Sequence, residues 1–116
     1  MSLSSSIIHP DMVTMTDTIY ALATAVPSRE GSGIAIIRVN GPDSFELVSK
    51  LTEPFIDVRS LTDRCFKLAW LVHDGMKIDH AGLLPFRNPH SYTGEDVVEI
   101  HCHGGLAVIR SIERAL

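Results

Sequence analysis

Residues 91–105 read SYTGEDVVEIHCHGG and combine a turn-forming start, an alternating segment and a glycine pair. Side chains of a strand point alternately to its two faces. One face of the alternating segment is apolar and suits a core: Val98, Ile100 and Cys102. The opposite face carries Val97, Glu99, His101 and His103. We therefore predict a strand over 96–103 that presents one apolar and one polar surface.

Outside this stretch, apolar runs bounded by turn residues predict four more strands and two helices. The predicted strands cover 17–25, 34–39, 65–73 and 77–86. Pro42 suits the first turn of a short helix that runs to residue 51, and a second helix follows the glycine pair. Asp74 and Gly75 form a strong hairpin signal. Strands in a row between two helices indicate an α+β domain with a mixed, largely antiparallel sheet.

Composition narrows the class of protein. The chain has 116 residues, enough for one domain, and 45% of them are hydrophobic, which argues against disorder. No apolar run approaches the roughly 20 residues that a membrane span needs. The net charge of −4 argues against nucleic-acid binding driven mainly by phosphate contacts. The two cysteines, Cys65 and Cys102, lack the spacing of a disulfide framework or zinc site, so we expect a cytoplasmic protein.

The two ends of the sequence differ. Residues 1–16 lack the basic and apolar regions of a secretory signal, and we expect a flexible tail there. At the other end an apolar stripe with helical spacing continues to the last residue without a stop signal: Leu106, Ile109, Ile112 and Leu116. We therefore expect residues 17–116 to be one domain of a longer protein.

Arg38 is unusual because it lies inside a run that otherwise suits a buried strand. A guanidinium cannot shed its charge, so it must reach water or find a partner. One interpretation is an arginine whose stem packs while its head reaches solvent. The other is a forked donor directed at a carboxylate of the protein or of a ligand.

The polar face of the strand over 96–103 also has more than one interpretation. It could be the solvated outer face of an edge strand. His101 and His103 could both reach one metal ion, with Glu99 as a third ligand, but a complete site would need partners from elsewhere, and we predict no metal.

Three blocks identify a family. DTIYALATA, GIAIIRVNGPDSFEL and NPHSYTGEDVVEIHCHGG occur in the order and spacing of the N-terminal domain of the MnmE (TrmE) family of tRNA-modification GTPases, which the chain resembles over residues 17–116. The resemblance implies the tetrahydrofolate-binding fold of aminomethyltransferases, and a domain that forms a homodimer. It further implies that helical and GTPase domains, which would bind GTP, Mg and K, lie outside this sequence.

The resemblance also implies a function and a site. Family members act with the flavoprotein MnmG on the wobble uridine of tRNA, and a tetrahydrofolate derivative, 5-formyl- or 5,10-methylene-tetrahydrofolate, is the cofactor. Arg38 and Glu99 fall on the positions that bind 5-formyltetrahydrofolate, whereas a lysine expected as a third ligand would follow residue 116. Tyr92, His101 and His103 are weaker candidates for the same site. No catalytic residue is expected in this domain.

Two other functions remain possible at this point. The domain could be a dimerisation platform whose ligand site is lost through an altered loop at residues 25–33. It could also bind tRNA directly, which would require a local basic patch despite the acidic balance.

Overall fold

The protein is described here by a computed structural model of residues 18–23, 33–88 and 95–116. Its elements in chain order are β1 (Ile19–Leu22), β2 (Ile34–Asn40), α1 (Ser44–Ser49), β3 (Lys67–His73), β4 (Met76–Phe86), β5 (Val97–His103) and α2 (Leu106–Ala115), with a short 3-10 turn at Val58–Ser60. The predicted tail, the predicted change in the loop at 25–33 (apart from Gly33) and Tyr92 lie outside the described residues.

The sheet has the strand order β1-β2-β5-β4-β3. Every strand pair among the described residues is antiparallel, which confirms the predicted α+β class with a largely antiparallel sheet. β5 is the central strand, hydrogen-bonded to β2 on one side and β4 on the other. The interpretation of its polar face as part of an edge strand is therefore wrong. Alternation along a strand reports its two faces and says nothing of its neighbours.

The hairpin between β3 and β4 turns at the predicted dipeptide. Asp74 has φ 52° and Gly75 has φ 76°, the left-handed conformation at both central positions of a type I′ turn. This turn matches the twist of the two strands and sets their register. A bulge between Leu71 and Val72 then shifts the pairing by one residue near the turn.

One face of the sheet forms the core with the two helices. The buried strand residues include the predicted face of β5 and the matching positions of β2: Ala35, Ile37, Val39, Val98, Ile100 and Cys102. Phe45 and Val48 of α1 and Ile109 and Ile112 of α2 belong to the same cluster. Burial of apolar surface stabilises the fold by roughly 25 cal/mol per Å². The core thereby fixes which side of β5 faces outward.

The outer face of the sheet is not covered by either helix in the described part of the chain. Several large apolar side chains remain exposed there or at its edges: Ile34, Phe66, Leu68 and Trp70. Neither of the two helices of the described ranges is long and apolar enough to cross a membrane. The polar residues of β5 lie on this outer face.

Candidate functional site

Arg38 and Glu99 face each other across the pair of strands β2 and β5. The register places Arg38 opposite Glu99 and Ile36 opposite His101. Residues directly opposite in antiparallel strands share a face, with Cβ atoms about 4.5–5.5 Å apart. The two residues that the family resemblance assigned to one ligand are therefore neighbours on the outer face of the sheet.

The Glu99 carboxylate joins Arg38 and His101 into one cluster. Arg38 Nη2 donates to Glu99 Oε2 at 3.0 Å, and His101 Nε2 lies 3.0 Å from Glu99 Oε1. An ionised carboxylate only accepts hydrogen bonds, so a hydrogen bond between these two atoms requires a hydrogen on His101 Nε2. The Glu99 side chain is 11% exposed, that of His101 19% and that of Arg38 35%. We call these three residues the Arg–Glu–His cluster.

His101 also contacts an aromatic ring. The rings of Phe66 and His101 meet edge to face, with centroids 4.8 Å apart and planes at 73°. Phe66 reaches this position because Gly82, opposite His101 on β4, has no side chain. A glycine inside a strand often marks such a close approach.

An apolar cleft of about 220 Å³ adjoins the cluster, where β1 pairs with β2. Arg38 and Asn40 are its polar lining residues, and Ile19 and Ala21 are their register partners on the same face. Arg38 both lines this cleft and bonds Glu99, so it connects an apolar surface with a sheltered carboxylate. Binding sites for organic ligands typically combine such surfaces with a few polar groups.

Roomier clefts lie elsewhere and contain no residue of the Arg–Glu–His cluster. One of about 450 Å³ lies between the β3–β4 turn and α2, and one of about 460 Å³ lies beside α1. On the outer face, the Glu99 carboxylate is 11% exposed and pairs with both Arg38 and His101. We therefore take the Arg–Glu–His cluster as the candidate site.

His103, another predicted site residue, does not join the Arg–Glu–His cluster. His103 points its ring at Asp79, with Nδ1 2.7 Å from Oδ1, and its backbone N–H donates to Asp79 Oδ2 at 2.8 Å. It therefore fastens β5 to β4 and does not join Glu99. Tyr92 lies outside the described residues. Within 18–23, 33–88 and 95–116 there is no group of three or more His, Cys, Asp or Glu side chains that could hold a metal ion.

Sequence reasoning missed Phe66, Gly82 and Asp79. Gly82 inside a predicted strand was the available signal for a close approach. Phe66 and Asp79 gave no such signal, because their roles depend on the register of β4 against β3 and β5.

Cys102, on the buried face of β5, is not part of the site. Burial raises the pKa of its thiol from 9.0 to about 11, and the charge of Asp79 adds to the effect. Its Sγ lies 3.6 Å from the backbone oxygen of Ala35. A thiol of this kind stays protonated at neutral pH and acts as a packing residue.

The fold and the site thus define a class: an α+β domain whose open sheet face carries an Arg–Glu–His cluster beside an apolar cleft. Residues 18–116 match the family described as "GTP-binding protein TrmE N-terminus". The chain belongs to this family, as its sequence blocks predicted.

Three relatives share the name tRNA modification GTPase MnmE. The chain is 44% identical over 102 residues to the tRNA modification GTPase MnmE of Caulobacter vibrioides. The matched segment covers 88% of this chain and 21% of that protein. It is 44% identical over 100 residues to MnmE of Chlamydia felis, covering 86% and 21%. It is 39% identical over 106 residues to MnmE of Prochlorococcus marinus, covering 90% and 23%. The chain thus spans about a fifth of the length of these relatives.

Proposed function

We propose that this chain is the folate-binding and dimer-forming domain of a tRNA-modification GTPase, and that the Arg–Glu–His cluster binds a tetrahydrofolate one-carbon carrier. The observation that carries the proposal is the sheltered Glu99 carboxylate, fixed on the central strand by Arg38 and bordered by an apolar cleft. Family membership supports the wider role. 5-Formyl- and 5,10-methylene-tetrahydrofolate are the proposed carriers.

The chemistry of a pterin matches this arrangement. A pterin presents a ring N–H and an exocyclic amino group side by side, and one carboxylate can accept both hydrogen bonds. Glu99 projects from a strand that is paired on both sides, so its position is better defined than on a loop. The forked guanidinium of Arg38 is a donor group of the kind that suits a carbonyl, formyl or glutamate oxygen of the same ligand. The apolar cleft provides a surface on which a ring of the ligand can pack.

The wider role follows from the relatives. Those proteins are named tRNA modification GTPases, and this chain corresponds to about a fifth of each. We propose that the full-length protein modifies the wobble uridine of tRNA in the cytoplasm together with the flavoprotein MnmG. GTP, Mg and K would act through a GTPase domain outside this sequence. The isolated chain is expected to hydrolyse no GTP.

The exposed apolar side chains of the outer face support the proposed homodimer. Ile34 is 68% exposed, Leu68 59% and Phe66 56%. Clusters of exposed apolar side chains on one face are typical of surfaces that another protein covers. The second candidate function, a dimerisation platform without a ligand, rests on the same side chains and does not use Glu99.

Titration calorimetry with 5-formyltetrahydrofolate separates the two functions. Glu99→Ala and Arg38→Ala should each lower the affinity at least tenfold, about 1.4 kcal/mol. Glu113→Ala, on α2 away from the cluster, is the matched loss of a glutamate and should bind like the wild type. Analytical ultracentrifugation should show a dimer for all four proteins.

Two results would contradict folate binding at this site. One is a folded wild-type protein, tested both as this chain and at full length, that binds no folate. The other is a Glu99→Ala variant that binds as tightly as the wild type. A dimer in the first case would leave the platform function in place.

A further inference from the structure

His101 is the second side chain bonded to Glu99, and it restrains the carboxylate in a way that Arg38 alone does not. Arg38 holds the carboxylate at one oxygen through one nitrogen, Nη2 to Oε2. The terminal torsion of a glutamate is broad, so the side-chain rotamer leaves the plane of the carboxylate loosely defined. One hydrogen bond leaves rotation about that bond available. His101 Nε2, 3.0 Å from Oε1, removes this freedom.

We propose that His101 is a positioning residue, which fixes the plane of the Glu99 carboxylate so that it can receive the paired donors of a pterin. The inference rests on the folate binding proposed above. A carboxylate has about four acceptor sites on its two oxygens. Arg38 uses one site on Oε2 and His101 one on Oε1, so each oxygen keeps one for a ligand. A ligand edge with two adjacent donors matches that count.

The surroundings of His101 are built to keep its ring in place. Its register neighbours are Ile36 on β2 and Gly82 on β4. Phe66 occupies the space above Gly82 and meets the His101 ring edge to face at 4.8 Å. The imidazole therefore contacts both the Glu99 carboxylate and the Phe66 ring, and its own side chain is 19% exposed. A positioning group needs such support because a loosely held donor would not fix its acceptor.

His101 also differs from His103, the other histidine of β5. His103 is 71% exposed on its side chain and bonds Asp79. It offers the same chemistry two residues along the strand without a contact to Glu99. Removal of the His103 ring is therefore a matched control for removal of the His101 ring.

The test measures affinity and selectivity in the full-length protein. The two ligands are 5-formyltetrahydrofolate and an analogue whose 2-amino group is replaced by methyl. His101→Leu should lower the affinity for the natural ligand about tenfold and reduce the preference over the analogue by a similar factor. His101→Gln keeps a donor N–H near the position of Nε2 and should bind within about threefold of the wild type. His103→Leu should leave affinity and selectivity unchanged.

Two outcomes would overturn the proposal when thermal melts show that the variants are folded. His101→Leu could bind with wild-type affinity and selectivity, so that the second donor is unnecessary. His101→Gln could lose as much as His101→Leu, so that the imidazole ring itself touches the ligand.

A measurement without ligand tests the contact between His101 and Glu99 separately from folate binding. Long-range proton–nitrogen spectra, assigned with His101→Gln, should show the Nε2–H tautomer of His101 at mildly alkaline pH, where a free histidine is neutral. A bare Nε2 could not donate to Glu99 and would overturn the proposal whether or not folate binds. If no folate binds to the wild type, the proposed function fails, and these spectra still decide whether His101 holds Glu99.

Discussion

Phe66 lies directly over Gly82, and a Cβ atom added at position 82 would meet its ring, with Cδ2 and Cζ both at 2.9 Å. This is closer than carbon atoms approach in folded proteins. The relationship links β4 to the candidate site, because the same ring packs against His101. Because Gly82 of β4 has no side chain, the ring of Phe66, which precedes β3, can occupy this position.

Gly82→Ala should displace the Phe66 ring with little loss of stability. The ring is 56% exposed and can swing outward, so we expect the free energy of unfolding to change by less than about 1 kcal/mol. The ring-current shift on the His101 protons should disappear from the proton spectrum. Phe66→Leu should remove the same shift with Gly82 intact. An unchanged His101 spectrum in Gly82→Ala would contradict the role of this contact.

Gly75→Ala should destabilise the protein by about 1–2 kcal/mol through backbone strain alone. Gly75 has φ 76°, and an added Cβ would meet no atom within 4 Å. Gly105 provides the matched control, since it is equally open but has φ −74°. Gly105→Ala should cost less, up to about 1 kcal/mol, because it replaces the N-cap glycine of α2 without backbone strain. Urea denaturation measures both, and equal effects would show that conformation at position 75 is not the cause.

Arg38→Met should destabilise the fold, because it leaves the Glu99 carboxylate in a sheltered place with one donor fewer. We expect a loss of about 1–2 kcal/mol, smaller than the 3–5 kcal/mol of a fully buried pair because Arg38 reaches solvent. The double variant Arg38→Met with Glu99→Gln removes the uncompensated charge and should recover part of the loss. Additive effects in chemical denaturation would speak against direct coupling of the two side chains.

Cys65 and Cys102 should differ in reactivity toward a thiol reagent. Cys65 is exposed and Cys102 is buried. At neutral pH the native protein should therefore react with one equivalent of Ellman's reagent quickly, and with a second only after denaturation. Cys65→Ser should abolish the fast phase and Cys102→Ala the slow one. Fast reaction of both thiols would show that the core opens readily.

The raised pKa of Cys102 also predicts a loss of stability in alkali. The folded state holds the thiol proton more tightly than the unfolded chain, whose pKa is near 9.0. The stabilisation is thus complete below that pKa and is lost as pH rises through the folded value of about 11. The free energy of unfolding of the wild type should fall more steeply than that of Cys102→Ala over this range. Parallel pH profiles would argue against the shift.

Local sequence patterns predicted much of the fold. Alternation in β5 predicted that Val98, Ile100 and Cys102 are buried, and all three lie in the core. The Asp74-Gly75 signal predicted the turn of the β3–β4 hairpin. Both predictions succeeded because each depends on the conformation of adjacent residues. The candidate pair Arg38 and Glu99 came from family blocks, and the register shows that the two side chains meet.

What the sequence alone determined was therefore which faces are apolar, where the chain turns and which family it resembles. Only the tertiary structure made β5 the central strand, directed His101 to Glu99 and His103 to Asp79, and placed Phe66 over Gly82. The physical reason is the distance along the chain over which each feature is determined. A side chain's face follows from a period of two residues, whereas its partner follows from strand order and register, which the packing of distant segments sets together.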